Sequence, residues 1–471
     1  MNLGLRYEFE TKPGVKNNVY SRLDLASGKL LAAGRNASGK LDLKNDYMNL
    51  GPRLGLAYSL DSKTVIRSGF GFFYSQIWGD NGNFVAYPGF TGSRVFEDQG
   101  IGRAQPFAFR EGFPVEQVPS ILDPLAEFAA ATANRPLDHN GPTYNPTDTL
   151  SSNIQWNLGV QRSLGDRLVL DVAYVASKST HLGRSTPINN PGLERAADVV
   201  LRGVRLQDAR PFPTVAGFNA VFYDANASYH SLQIRGTRRF SSGLSVDANY
   251  TFSKNLDNAT TLGEAFQIPW QYFQIERALS TLDRTHVMTA GWVCELPFAK
   301  GRRFGDQRLV RAILGGFQVN GVFSAATGLP GTITQQRRNL ILQSQRPDVV
   351  SPVNLGGRLE SPVFEGAGAR RWLIRPGDSA FPFTASSQVG FGNLGRNTSR
   401  GPGFWNMNLG VFRSVSFTER LRIQIRAEAY NAFNHVNYLN PASRDISNAN
   451  YGLILSAADG RQVQLGLRLE F

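Results

Sequence analysis

The chain has 471 residues, of which 41% are apolar, a fraction too high for a disordered protein and too low for a helical membrane protein. No apolar run reaches the ~18 residues that a transmembrane helix needs, and the single cysteine, Cys294, excludes an intrachain disulfide framework. The net charge is +13, but the arginines are spread along the chain rather than collected in one block, so no nucleic-acid partner is expected.

About twelve segments alternate between apolar and polar residues, a period of two that is typical of β-strands with two different faces. In one of them, Ile423 and Ile425 share a face, and Gln424 and Arg426 share the other. In chain order the segments are NLGLRYEFE, GPRLGLAYSL, TVIRSGFGFFYSQ, NIQWNLGVQRSL, RLVLDVAYVAS, SYHSLQIRGTRRF, GLSVDANYTFS, THVMTAGWVCELPF, GGFQVNGVFSAATG, FWNMNLGVFRSV, RLRIQIRAEAY and RQVQLGLRLEF. A short helix is predicted only within 123–136.

Short and long connections alternate between these segments. The sequences DSK after Leu60, GD after Leu164 and SSG after Phe240 are typical of tight hairpin turns. Compact soluble domains rarely carry structureless loops beyond ~15 residues, whereas outer-membrane barrels combine short periplasmic turns with long extracellular loops. The pattern therefore predicts an all-β, antiparallel transmembrane barrel. Its predicted long loops are 77–150, 179–227, 255–283 and 329–400.

The apolar face of these strands is predicted to meet lipid. A dozen strands enclose too wide an interior for side chains to fill, so the polar face is expected to line a wet lumen. Lipid-face aromatics are then expected near the outer rim (Tyr74, Tyr174, Tyr250, Phe252) and near the inner rim (Tyr58, Phe240, Phe471). The alternative that stays open is a soluble β-sandwich or propeller with large insertions.

Several stretches resemble the strands of one known family. They are LDRTHVMTAGWVCELPFAKG with ILGGFQVNGVFSAATGLP, FGNLGRNTSRGPGFWNMNLGVFRS, RLRIQIRAEAYNAFNHVNYLNP and VQLGLRLEF. The resemblance is to TonB-dependent outer-membrane transporters, in particular to the Oar-like branch. It covers 281–471 well and the preceding residues less closely.

The resemblance implies a barrel of about 22 strands, an N-terminal plug domain and a TonB box. This sequence shows no plug, TonB box or signal peptide, and about half the strands. We therefore expect residues 1–471 to be the C-terminal part of a barrel, from a split or truncated product, in the outer membrane of a Gram-negative cell. The partners implied are outer-membrane lipid and lipopolysaccharide, the barrel-assembly machinery, and plug and TonB if the rest of the receptor exists.

Three functions stay open on this basis. The first is a part in the energised uptake of a large or scarce ligand through a TonB-dependent receptor. The second is a porin-like, adhesive or structural barrel without TonB coupling. The third is a fragment without a function of its own.

The sequence predicts no catalytic, metal or cofactor site, and an enzyme is not expected. The stretch GRNASGKL is similar to a phosphate-binding loop only up to Lys40, because Leu41 stands where Ser or Thr should bind magnesium. The histidines are scattered, without the paired spacing of a zinc site.

Two sets of residues are candidates for function inside the expected barrel. The lumen is predicted to be basic on balance, as a lining for a plug or as a path for an anionic substrate. Its candidates are Arg53, Arg67, Arg235, Arg422, Arg426, Glu428 and Arg468. Loops 77–150 and 329–400 are expected to contact the ligand or to pack on one another. Their aromatic candidates are Phe84, Tyr87, Phe90, Phe107 and Trp372.

The last strand is expected to be an assembly signal. Leu465, Leu467 and Leu469 alternate with polar residues, and the chain ends on the aromatic Phe471. The family resemblance implies that barrel-assembly machinery recognises such an ending.

Deleting Phe471 is expected to lower the amount of protein inserted in cells far more than it lowers refolding in pure lipid. A purely interfacial role would cost about 1.5–3 kcal/mol of burial in both settings. Membrane fractionation and refolding yields measure the two effects. Equal losses would leave only the burial explanation.

Overall fold

The computed structural model describes residues 1–12, 14–75, 90, 110, 123–137, 143–144, 149–241, 243–261, 270–298, 309, 313–336, 345–351, 363–365, 369–377, 379–416 and 421–471. Its main element is an antiparallel sheet in which twelve strands follow one another in chain order. These strands are β1 (Asn2–Tyr7), β2 (Leu50–Ser59), β3 (Thr64–Ser75), β4 (Ser151–Leu164), β5 (Leu168–Pro187), β6 (Asn219–Ser241), β7 (Leu244–Asp257), β8 (His286–Glu295), β9 (Phe317–Ala326), β10 (Phe404–Ser416), β11 (Arg422–Tyr430) and β12 (Gln462–Glu470).

Each strand pairs with the next one in the chain, so every connection is a hairpin. Within the described residues, β1 and β12 each pair on one side only, and the sheet is open at these two edges. The short strands Thr143–Tyr144 and Ala278–Leu279 add to β6 and β7. The prediction of an antiparallel, outer-membrane-type sheet of about twelve strands, consistent with part of a barrel, is confirmed.

The pairing register keeps apolar residues on one face across the whole sheet. Val160 lies opposite Val172, which lies opposite Ile234. The same row continues through Tyr250 to Met288. At the far edge, Leu465 and Leu467 are 77% and 68% exposed. A regular exposed apolar face of this extent is typical of a sheet that meets lipid. We call it the outward face and the opposite one the inward face.

Short and long connections lie at opposite ends of the strands. The short ones are 60–63, 165–167, 242–243 and 417–421, and the same end has the longer 296–316. The long ones at the other end are 8–49, 76–150, 188–218, 258–285, 327–403 and 431–461. Two of them, 8–49 and 431–461, were not among the long loops that the sequence predicted.

The predicted loop 179–227 is shorter in the structure, because β5 reaches Pro187 and β6 begins at Asn219. The pairing register shifts between Ser179 and Leu182, which marks an irregularity in the ladder. Since such irregularities break the alternation of faces, a period of two cannot reveal the strand beyond them.

The remaining elements are short and lie in the long connections. The helices are Pro124–Ala130, Leu193–Leu201 and Leu206–Ala209, with 3-10 turns at Lys16–Asn18 and Trp270–Glu276. The short strands are Ser21–Leu23, Leu30–Ala32, Pro330–Gly331, Asp348–Val349, Val363–Glu365, Ala369–Arg371, Phe383–Thr384, Ser399–Arg400 and Leu453–Ile454. No helix in the described part of the chain is long and apolar enough to cross a membrane.

Apolar packing of the soluble type lies in the long connections and at the strand ends next to them. One cluster joins Leu23, Val215 and Phe218. Another joins Ile333, Leu373 and Tyr451, which come from 327–403 and 431–461. We call the described parts of the long connections the cap. The cap thus contains buried apolar clusters, whereas the outward face of the sheet exposes a regular array of apolar side chains.

Cysteine labelling in β11 tests the register of the sheet. Ile425 lies opposite Leu467 on the outward face, and Arg426 lies opposite Gly466 on the inward face. With Cys294 replaced by serine, a water-soluble thiol reagent is expected to modify Arg426→Cys and to spare Ile425→Cys in membranes. Modification of position 425 with sparing of position 426 would contradict the register.

Candidate functional site

A chain of buried ion pairs joins the cap to the end of the sheet. Arg396 donates from Nη2 to the carboxylate and, at 2.9 Å, to the main-chain oxygen of Asp257, the last residue of β7. Its Nε lies 3.7 Å from a carboxylate oxygen of Glu276. Arg346 donates to the other carboxylate oxygen of Glu276 at 3.2 Å. These four side chains are no more than 4% exposed.

Negative and positive side chains alternate along this network, which offsets the free-energy cost of burying them. A charge taken out of water costs several kcal/mol unless an opposite charge and hydrogen bonds compensate it. Burial lowers the pKa of the Arg346 guanidinium below its ordinary value, and repulsion from Arg396 adds to this, while Glu276 opposes it. Glu276 therefore holds two buried cations together and is the central residue of the network.

A second ion pair ties the motif LDRTHV to the motif SRGPGF. Arg400 donates from Nη2 to Asp283 at 2.5 Å and to Thr285 at 2.9 Å. Its Nη1 donates to the main-chain oxygen of Gly328 at 2.9 Å. Arg284 lies over the ring of Phe404, 5.4 Å from its centroid. Two of the stretches on which the family resemblance rests are thus in contact where β8, β9 and β10 enter the cap.

Glycine is required where these backbones meet. A Cβ atom at Gly328 would overlap the carbonyl oxygen of Gly401, and one at Gly401 would overlap the side chain of Asn440. The chain can approach itself this closely only without side chains at these positions. The glycines around Arg400 therefore allow the guanidinium to reach Asp283.

A cavity of about 720 Å³ opens beside these ion pairs. Its lining includes the cations Arg277, Arg396 and Arg400 and the indole of Trp372. Trp372 donates from its indole nitrogen to the main-chain oxygen of Arg400 at 2.8 Å, which fixes the ring at the wall. The volume is in the range of small-molecule sites, and a few fixed polar groups on an apolar wall are typical of them.

A second cavity, of about 470 Å³, lies along the sheet. Its lining includes Asp247, Asn320, Asn408 and Glu428. By the register, these four residues are on the inward face. This part of the inward face is polar and carries carboxylates rather than a surplus of cations.

The lumen candidates all have register positions on the inward face, but they do not form one cluster. Arg53 lies over the ring of Phe73 on β3 at 4.6 Å, and Arg235 donates to Asp247 at 2.7 Å. The positions concerned are Arg53, Arg67, Arg235, Arg422, Arg426, Glu428 and Arg468. That this face lines a wet lumen stays a prediction.

The predicted ligand-loop residues separate in the structure. Trp372 lines the cavity in the cap. Phe90 lies under the guanidinium of Arg35, 6.0 Å from its carbon, and is not at the cavity. Phe84, Tyr87 and Phe107 lie outside the described residues.

The residues of the expected assembly signal lie on or next to the open edge strand β12 and are exposed. Leu465, Leu467, Leu469 and Phe471 are 77%, 68%, 55% and 102% exposed. Their role in assembly stays a prediction.

The cap is organised by three residues that were not predicted from the sequence: Glu276, Arg396 and Arg400. The available signal was two arginines in the glycine-rich stretch FGNLGRNTSRGPGF, where a long charged side chain is unusual among turn residues. The described residues contain no group of three or more His, Cys, Asp or Glu side chains placed to hold a metal ion.

Replacing Glu276 with glutamine is expected to destabilise the cap by about 3–5 kcal/mol, because two buried cations lose their shared carboxylate. The β-sheet signal in circular dichroism should persist, while protease cuts the cap faster. Asp198→Asn is the matched control, since Asp198 forms ion pairs with the exposed Arg195 and Arg202, and this change should cost less than about 1 kcal/mol. Equal protease sensitivity of the two variants would show that the buried network does not hold the cap.

Comparison with known proteins agrees with the exposed outward face. A family model described as outer membrane beta barrel domain matches residues 1–464. A search of curated protein sequences gives no match.

Similar solved structures include FpvA of Pseudomonas aeruginosa bound to a heterologous pyoverdine, at 10% identity and a TM-score of 0.42, covering 91% of this chain and 34% of that one. They also include the outer membrane transporter YddB from Escherichia coli, at 8% identity and a TM-score of 0.44, covering 90% of this chain and 41% of that one. The ferric-catecholate import receptor Fiu from E. coli is 9% identical with a TM-score of 0.40, covering 91% of this chain and 36% of that one.

The chain thus spans between about a third and two fifths of the length of these structures. The family match extends over nearly all of the sequence. The chain belongs to the outer membrane beta barrel domain family, and it is a protein of the Gram-negative outer membrane.

Proposed function

We propose that this barrel belongs to an outer-membrane receptor that binds a ligand at its cap and takes it up by TonB-dependent transport. The cap is then the extracellular side, and the short connections are periplasmic. The resemblance of 281–471 to TonB-dependent transporters supports the coupling. A plug domain would occupy the space along the inward face.

The cavity of about 720 Å³ carries the proposal of a specific ligand. General diffusion needs an open path, whereas this cavity is bounded by residues held in fixed positions. Arg400 is held by Asp283, and Trp372 is held by the main chain of Arg400. A rigid wall with cations and an indole favours a ligand that combines anionic and flat apolar groups.

The porin-like alternative is supported by the polar inward face. Asp247, Asn320 and Glu428 line the cavity there and are typical of a wet pore. An uncoupled barrel would use this face as its channel. The two functions differ in whether the closed state admits small solutes and in whether TonB binds.

Capture on the immobilised periplasmic domain of TonB tests the coupling. The protein is solubilised from its own outer membrane, with all segments that accompany it there. We expect retention on the TonB domain and none on a column carrying an unrelated periplasmic protein. Absence of retention would contradict a TonB-dependent receptor.

Entry of nitrocefin into intact cells tests the porin-like alternative. A periplasmic β-lactamase reports how fast this small solute crosses the outer membrane. For a gated receptor, we expect equal hydrolysis rates in cells with and without the protein. Faster hydrolysis in cells that contain it would favour an open pore.

A further inference from the structure

The outward face changes character toward the cap over four successive cross-strand rows on β4 to β8. The row farthest from the cap is aliphatic through Val160, Val172 and Ile234 and ends at Tyr250 and Met288. The next row contains Leu158, Tyr174, Leu232, Phe252 and His286.

Two further rows lie nearer the cap. One contains Trp156, Ala176, His230 and Lys254, and the last contains Ile154, Lys178, Ser228 and Leu256. Toward the cap, the side chains on the outward face thus change from aliphatic residues to aromatic residues and histidine, and then to basic residues.

The aromatic rows have the chemistry of a membrane–water interface. Tyr174 shares a hydrogen bond of 2.7 Å with Nδ1 of His230, and Tyr250 shares one of 2.7 Å with Nδ1 of His286. Trp156 contacts His230 edge to face, with ring centroids 6.1 Å apart. Tyr and Trp concentrate at the level of lipid headgroups, where the ring meets hydrocarbon and the polar atom meets water. The next row toward the cap therefore lies at the headgroups.

Three cations lie at or next to that level. Arg277 reaches from the cap and donates to Ser228 at 2.7 Å, and Ser228 lies directly opposite Lys178 in the register. Lys254 lies on the neighbouring strand, one row closer to the aromatics. Lys178 and Lys254 are two strands and one row apart, which is about 12 Å between Cα atoms. Side chains of this length can therefore reach a single phosphate between them.

No carboxylate in the described part of the chain forms an ion pair with these cations. Within the described residues, Lys178, Lys254 and Arg277 make no ion pair, and the like charges of Lys178 and Arg277 are close enough to repel each other. None of the residues in the four rows is Asp or Glu. The next carboxylate along β6, Asp224, is taken by two hydrogen bonds from Arg184, at 2.6 and 2.8 Å.

We propose that Lys178, Lys254 and Arg277 bind the phosphate of a lipid headgroup in the outer leaflet of the outer membrane. The phosphate supplies the missing negative charge, and acyl chains of the same lipid lie along the aliphatic rows below. His230 lies opposite Lys254 in the register, on the side of the site that is farther from the cap. The proposal requires neither ligand uptake nor TonB coupling, although Arg277 also lines the cavity in the cap.

Native mass spectrometry of the purified full-length protein in detergent tests this site. The probes are bis-phosphorylated lipid A, the same lipid with its phosphates removed, and inorganic phosphate. We expect tight binding of the phosphorylated lipid only. The triple variant Lys178→Gln, Lys254→Gln, Arg277→Gln should bind it about 100-fold more weakly, since each of the three basic side chains near an anionic lipid surface adds about a factor of five.

The matched control is the double variant Arg162→Gln, Arg238→Gln. By register, both arginines lie on the same outward face but near the short connections. This variant should retain the affinity of the unmodified protein. The variant Lys178→Arg, Lys254→Arg keeps the charges and should also retain it. Heat-dependent gel mobility verifies that each variant is folded. If the triple variant does not fold, the single variant Lys254→Gln replaces it, because Lys254 is at an exposed position.

Three results would overturn the proposal. Undiminished binding by the folded triple variant, or by Lys254→Gln where that variant stands in, would exclude these residues as the site. An equal loss in the Arg162 and Arg238 control would reduce the effect to general charge. Displacement of the lipid by inorganic phosphate at the same concentration would identify a site for a free anion rather than for a lipid.

Discussion

Every backbone amide and carbonyl of a sheet in lipid must find its partner within the sheet, since hydrocarbon offers none. This constraint orders the molecule. Neighbouring strands form continuous ladders, and a continuous ladder keeps each face uniform, so Val160, Val172 and Ile234 share one row across three strands. A slip of one residue would send an entire strand's leucines to the inward face. The two register shifts between β5 and β6 lie beyond Ser179, toward the cap, and a third, between β6 and β7, lies at Leu244–Val246, next to the short connection.

The cap differs from the sheet because its apolar clusters are buried inside, as in a soluble protein. Clustered apolar residues such as Val215 and Ile333 are 1% exposed, and the most deeply buried charges of its ion-pair network are paired. Glu276 binds Arg346 and approaches Arg396, which binds Asp257 at the end of β7. The network fastens the cap to the sheet at the level where hydrocarbon ends. The cavity in the cap is therefore lined by segments that ion pairs hold to the sheet and to each other.

The sheet was predictable from the sequence because its information is local. Each of the twelve alternating segments carries its own face pattern, and tight turns such as that after Leu164 mark the hairpins. The cap was not predictable from the sequence, because its contacts join residues that are far apart in the chain. For example, Arg396 and Asp257 are 139 positions apart. The lumen candidates follow from the alternation of the two faces along each strand. The roles of Arg400 and Glu276 could not be predicted in this way, because they depend on which loops contact each other. Trp372 was predicted as a ligand contact because it is aromatic and lies in a long loop. Its position beside Arg400 is known only from the structure.

The central claim is that one face of the sheet meets lipid while the cap stays in water. Quenching of single-tryptophan proteins by lipids with brominated acyl chains tests it most directly. Trp292 lies on the outward face across Gly321, and Trp372 lies in the cap. The account predicts strong quenching of Trp292 and little of Trp372 in the full-length protein in vesicles. Equal quenching of both, or quenching of Trp372 alone, would contradict it.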